Sequence, residues 1–216
     1  MSQNDFKLMI TCEHASNELP ARVKDLRISQ EDLDSHRGYD IGAFAVYEEL
    51  VSKFKPDFYS SGRYSRLFVD LNRSLRNNKF ASPAGIAYHE SYWGEVEKFV
   101  VQNLPEISED PSKAGCVLPA IVHLAIHSFT PILDGRTRKA DIGILYDPSR
   151  PAEREIADII VAEIRVRFPQ YKVRRNYPYQ GKTDGLCTAL RKKFDPHKTG
   201  CYVGLEIEIN QKLLLR

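Results

Sequence analysis

The sequence predicts an α/β protein, a three-layer α/β/α sandwich around a central mixed, largely parallel sheet, and three observations lead there. Short apolar, β-branched runs alternate with longer amphipathic segments of ten or more residues. The apolar runs are nearly continuous, which suits strands covered on both faces. Clusters of polar residues follow the apolar runs, where open α/β sheets place their sites.

Taken in order, "KLMITC" (7–12) reads as a buried strand and "YDIGAFAVYEELVSKF" (39–54) as a helix, with Ile41, Ala45, Val46, Leu50 and Phe54 at helical spacing. "DFYSS" and "RLFVDL" read as short strands around Gly62. "SYWGEVEKFVVQNLP" (91–105) is a second helix, ended by Pro105. "AIVHLAIHS" (120–128) and "DIGILYD" (141–147) are strands. "PAEREIADIIVAEIRVRF" (151–168) is the clearest helix, with Pro151 in its first turn and acidic residues early. "YKVRRN" and "YVGLEIEIN" complete the strands. No repeat or linker divides the chain, so residues 1–216 read as a single domain.

Hydrophobic content of 42% and charged content of 28% are ordinary for a soluble protein. A net charge of +2 argues against nucleic acid or an anionic membrane surface as partner. No run approaches the roughly 18 apolar residues of a membrane span, and "MSQNDFKLM" has no secretory pattern. Cys12, Cys116, Cys187 and Cys201 lack CxxC pairing, and the expectation is a cytoplasmic chain with reduced, mostly buried thiols.

Four polar clusters fall at strand ends: Glu13-His14 with Asn17; Arg66, Asp70, Asn72 and Arg73; His123 and His127; and Glu206 with Glu208. Each has an ordinary explanation. His14 is a cap or surface residue in many proteins, the arginines suit surface ion pairs, and Asp70 suits a turn cap. His123 and His127 share one face of a strand with Ala125, so one of them packs in the core. Glu206 and Glu208 are harder to dismiss. They share the face opposite Leu205, Ile207 and Ile209, and a buried carboxylate needs a charge partner or a metal. Histidines, carboxylates and arginines at strand ends are what metal-assisted hydrolysis of an anionic substrate requires.

"CEHASNELP", "HRGYDIGA", "SRLFVDLNR", "HSFTP", "NYPYQGKTDG" and "LEIEINQ" occur in the order found in the N-formylglutamate amidohydrolase family, which the chain resembles from residue 12 to 211. That family is similar in fold to the zinc carboxypeptidases and the aspartoacylase group. The resemblance implies hydrolysis of the amide of a small N-acyl acidic amino acid, N-formyl-L-glutamate or a close analogue. It implies Zn²⁺ held by His14, His127 and a carboxylate; the His14-to-Glu18 spacing is one residue too long for the HxxE of carboxypeptidases, and Asp40 stands ahead of Glu13 and Glu18 because longer family members also carry Asp at that place in "HRGYDIGA". Such a zinc keeps a fourth position for water. Glu208 corresponds to the general base, with Glu206 secondary, and Arg66 to the group stabilising the oxyanion. Asn72 and Arg73 correspond to the groups holding substrate carboxylates, and Asn176 and Tyr179 to a substrate-covering loop. Two other readings stay open: a zinc carboxypeptidase or amidase acting on peptides or cell-wall fragments, and a non-catalytic metal-binding domain of the same fold.

Overall fold

In the computed structural model, residues 6–21, 28–79, 81–105 and 119–215 are described. Six strands form one sheet in the order β2-β1-β3-β8-β6-β7. β1 (Lys7–Cys12) starts the centre, and α1 (Gln30–Leu33) and α2 (Ala43–Phe54) follow it. β2 (Phe58–Ser61), α3 (Pro83–Asn103) and β3 (Ile121–Phe129) come next. β4 (Ile132–Leu133) and β5 (Arg136–Thr137) pair as a separate hairpin. β6 (Ile142–Leu145), α4 (Pro151–Arg167), β7 (Val173–Arg175), α5 (Leu186–Phe194) and β8 (Tyr202–Asn210) complete the order. All sheet pairings are parallel except β6 with β8. The predicted mixed, largely parallel sheet is therefore observed.

Alternate residues of each strand feed opposite cores, which makes the third layer. Met9, Ile121 and Tyr202 pack with Tyr92, Val96 and Val100 of α3 and Leu186 and Leu190 of α5. On the other face Ile10 and Ile126 meet Ala43 and Tyr47 of α2, and Val203 and Leu205 meet Ala157 and Val161 of α4. Each fully buried aliphatic side chain contributes about 1.5–3 kcal/mol relative to exposure. No helix among the described residues is long and apolar enough to cross a membrane.

Four local readings are corrected. Residues 66–71, read as a strand, are irregular. Phe68, Val69 and Leu71 are apolar because they enter the α3 core, while the backbone is satisfied locally: Phe68 N donates to Ser65 O, and Asp70 N to Asn78 Oδ1. The first long helix begins at Ala43 rather than Tyr39, because Gly42 adopts φ +79° and breaks the turn before it. The helix read from Ser91 begins at Pro83, capped by Ser82 Oγ accepting from Gly85 N. The Asp134-Gly135 turn, both residues at positive φ, closes a hairpin that the sequence reading missed. Cys12 and Cys187 are free and buried, as expected, but Cys201 is disulfide-bonded, against the expectation of reduced thiols. Cys116 lies outside the described residues.

Candidate active site

Among the described residues, α3 and α5 cover the early part of the strands, at Met9 of β1, Ile121 of β3 and Tyr202 of β8. Beyond that cover, the same face carries His127 and Glu208 on one rung, paired in register, with Ala125 and Glu206 on the rung before. His14 follows the end of β1. Asp40 sits in the turn before α2: its backbone N donates to His14 O, and its own carbonyl accepts from Ala43 N. The turn at Gly42 thus hangs Asp40 beside His14. Arg66, Asn72 and Arg73 come from the irregular segment 66–74, and Tyr179 from the loop after β7. All of these except Ala125 line one cavity of about 430 Å³.

His14, Asp40 and His127 bring one donor atom each within 4.8 Å of one another, all three buried. Asp40 Oδ2 is 3.4 Å from His14 Nδ1 and 2.8 Å from His127 Nδ1. Donors about 2.0–2.1 Å from a tetrahedral zinc stand about 3.4 Å apart, so the set matches that scale. The other ring nitrogens are also engaged. His14 Nε2 is 2.7 Å from Asp70 Oδ1, and His127 Nε2 is 2.9 Å from Glu13 Oε2. A metal-ligating histidine typically presents its second nitrogen to a carboxylate in this way. The residues therefore fit a divalent metal held by the two histidines and one carboxylate. Glu13, one alternative ligand, lies on the far side of His127, and Glu18 is exposed.

Charge at the site is tightly matched. Burial and Arg66 work against a proton on His14, but Asp70 and Asp40 hold its pKa above the ordinary value. His127 is raised well above it by Asp40 and Glu13, again against burial. Burial alone would raise Glu13, yet His127 and the Thr11 hydroxyl hold it at about 2. Asp40 and Asp70 are likewise held low by the histidines around them, Asp70 also by Arg66. A metal held there would take the place of any proton on the two histidines.

Arg66 spends Nη1 on Asp40 Oδ1 at 3.2 Å and Nη2 on Asp70 Oδ2 at 3.0 Å, and keeps further N–H groups for the cavity. Asn72 Oδ1 accepts from Leu186 N, and its Nδ2 lies 3.3 Å from His127 Nε2. Arg73 anchors Nη1 on the carbonyls of Asn72 and Asp184, which aims the rest of its fork into the cavity. Glu208 is 5% exposed, and its Oε2 has no hydrogen-bond partner among the described residues. Burial, with Asp40 and Glu206 adding to it, pushes its pKa up to about 8. Gly143 faces Glu208 across the β6 pairing, and a Cβ there would meet Tyr177 O at 1.9 Å, so glycine lets the following loop close beside Glu208.

Asn176 is the one predicted site residue that the cavity excludes. Its Oδ1 accepts from Tyr146 N and Gly181 N, so it braces the loop while Tyr179 reaches the cavity. Of the two β3 histidines, His123 is the core residue: Nε2 meets Thr11 Oγ1 and Nδ1 meets Tyr202 Oη, each at 2.7 Å. The partnerships of Glu13 with His127 and of Asp70 with His14 were not read from sequence. Glu13 was weighed as a ligand and Asp70 as a turn cap, and only the assembled fold brings them to those rings.

Residues 6–103 match the family model for N-formylglutamate amidohydrolase, a stretch that holds His14, Asp40, Arg66, Asn72 and Arg73. The resemblance read from the motifs is thus met. A crystal structure of a gene product from Agrobacterium tumefaciens is similar, with 27% identity and a TM-score of 0.71, covering 98% of this chain and 83% of that one. A crystal structure of N-formylglutamate amidohydrolase from Ralstonia eutropha shares the fold at 19% identity and a TM-score of 0.58, covering 96% of this chain and 82% of that one. No curated protein matches the chain.

Proposed function

We propose that the protein is a zinc-dependent amidohydrolase that cleaves the amide of a small N-acyl amino acid, with N-formyl-L-glutamate or a close analogue as substrate. The observation that carries this reading is the convergence of His14, Asp40 and His127 at one end of the sheet, with Glu208 on the same rung as His127. A zinc held by those three residues would supply a Lewis acid able to bring the pKa of water to about 7.

The remaining roles belong to the chain's own side chains. Glu208, buried and without a hydrogen bond on Oε2, takes a proton from the attacking water and returns it to the leaving amine. A carboxyl group raised to about 8 suits a group that must do both near neutral pH. Arg66, fixed by Asp40 and Asp70, directs its remaining N–H groups at the charge that develops on the acyl oxygen. Arg73 and Asn72 hold the α-carboxylate; the planar guanidinium suits that task because it can bind both oxygens at once. Tyr179, its hydroxyl accepting from Arg138 Nη1 at 3.1 Å, forms the wall of the mouth.

The test is formate release from N-formyl-L-glutamate by protein of measured zinc content. Formate release that depends on zinc and is lost in His14→Ala supports the reading. Peptide turnover without formate release would point instead to a carboxypeptidase-type amidase. Protein that neither binds zinc nor hydrolyses either substrate would point to a non-catalytic domain.

A further inference from the structure

Glu206 is the one carboxyl group lining the cavity that the roles above leave unused. It pairs in register with Ala125 on one side and Leu145 on the other, one rung behind Glu208. Two residues along a strand advance about 6.6 Å, so Glu206 lies that much deeper than the base. The small Ala125 of β3 and the buried Leu145 of β6 share its face on either side, and its carboxyl borders the cavity. Glu206 is 8% exposed and lines the cavity, yet among the described residues no hydrogen bond or ion pair engages it. Glu208, taken above as the base, shares this lack, whereas Asp40 and Asp70 have histidines and Arg66, and Glu153 has Arg191 and Arg150. A carboxyl group buried without a partner is costly, and a ligand that supplies a hydrogen-bond donor removes that cost.

We propose that Glu206 sets specificity by accepting a hydrogen bond from the end of the substrate's side chain, so that the site takes N-acyl amino acids with a side-chain amide, the N-formyl-glutamine class, ahead of the dicarboxylate. The assignment rests on the amide-hydrolase reading above and narrows its substrate. The reach agrees. From the amide nitrogen beside Glu208 to the side-chain nitrogen of glutamine there are five bonds of about 1.5 Å, roughly 6 Å when extended, which is the depth of one rung. An amide gives Glu206 a donor and leaves its oxygen for Thr183 or Gln180, which also line the cavity. A carboxylate would set like charge against like. A cationic side chain would satisfy Glu206 but would share the cavity with Arg66 and Arg73.

The experiment compares kcat/KM for N-formyl-L-glutamine and N-formyl-L-glutamate in zinc-loaded wild type and Glu206→Gln, with the affinity of metal-free protein for L-glutamine and L-glutamate measured by calorimetry. Wild type is expected to favour the amide by about tenfold or more, since sites built around a hydrogen bond discriminate strongly. In Glu206→Gln, whose side chain also donates, the ratio is expected to collapse through a gain on the acidic substrate. A wild-type preference for the acidic substrate, or a ratio unmoved in a zinc-replete variant, overturns the assignment alone. No hydrolysis of either substrate by zinc-loaded wild type overturns the amide-hydrolase reading and the assignment together. The wild-type ratio and the calorimetry need no variant, so a variant that fails to fold leaves the proposal exposed to refutation.

Discussion

Replacing Glu208 by Gln should move activity and stability in opposite directions. Glutamine nearly matches the shape of glutamate but cannot take a proton, so turnover should fall by the 10²–10⁴-fold typical of lost acid–base catalysis, about 2.7–5.4 kcal/mol in the barrier. The stability argument starts from burial. Glu208 is pushed up to about 8 in the folded protein against an ordinary 4.5, chiefly by burial. A carboxyl group raised on folding binds more protons folded than unfolded between those two values. Its contribution therefore favours the folded state below about 4.5 and turns against it as the pH climbs towards 8. Near pH 8 the wild-type metal-free protein bears the cost of this charge, and the Gln variant does not.

The variant should thus melt higher than wild type at pH 8, by about 2–4 °C for each kcal/mol relieved in a chain of this size, and the gap should close at pH 4–5. Zinc content should be unchanged, because Glu208 stands outside the ligand group. The assays are thermal melts of chelator-treated protein at both pH values, zinc stoichiometry, and turnover. A variant that melts lower at pH 8, or keeps near-wild-type turnover, would show that Glu208 is a packing and pairing residue instead.

Three further outcomes follow from the geometry. Arg73→Lys keeps the charge but loses the fork anchored on Asn72 O and Asp184 O, so KM should rise with little change in zinc affinity; equal losses on substrates with and without the α-carboxylate would refute the carboxylate role. Asp70→Asn removes the charge 2.7 Å from His14 Nε2, and zinc affinity measured by chelator competition should fall about 10–100-fold; unchanged affinity would show that His14 needs no such partner. Asp141 accepts from Lys172 N at 2.7 Å and pairs with Lys212 Nζ at 2.5 Å, with its pKa lowered despite some burial. Its stabilisation is therefore present above pH 3.8 and lost as the pH falls through the lower folded value. Asp141→Asn should cost about 1–3 kcal/mol in urea unfolding at pH 7, and the difference from wild type should shrink at pH 3; a difference that persists there would place the effect in packing.

The strands that carry the site were legible because burial on both faces leaves long apolar runs with little else in them. β8 runs from Tyr202 to Asn210, as its sequence indicates, and two glutamates inside such a run stand out against their neighbours. The β3 histidines were half legible: period two put both on one face, but only the packing of Tyr202 and Thr11 around His123 decides which one is core. Residues 66–74 were misread for a physical reason. The run Leu67, Phe68, Val69 and Leu71 within 66–71 looks like a short apolar strand because Phe68, Val69 and Leu71 pack under α3, whereas the missing ladder bonds are replaced by side chains such as Asn78, a substitution with no local signature.

That misreading bears on the chemistry. A strand over this segment would send Arg66 and Asn72 to one face of the sheet and Arg73 to the other, and could not bring all three to one cavity wall. The irregular path can, because its turns are pinned from three directions: Ser65 N to Glu18 O, Arg66 N to Gly38 O, and Trp93 Nε1 to Leu71 O. The same bonds tie the segment to the two turns that carry His14 and Asp40. The histidine, its carboxylate partner Asp70 and the arginine that joins both carboxylates are thereby held as one unit before any metal arrives. Loosening this segment at a point remote from the ligands, as Trp93→Phe would by removing the bond to Leu71 O, should weaken zinc binding while the sheet stays intact. Zinc competition alongside circular dichroism reads that outcome, and unchanged zinc affinity in a folded variant would show that the ligands hold their positions without the segment.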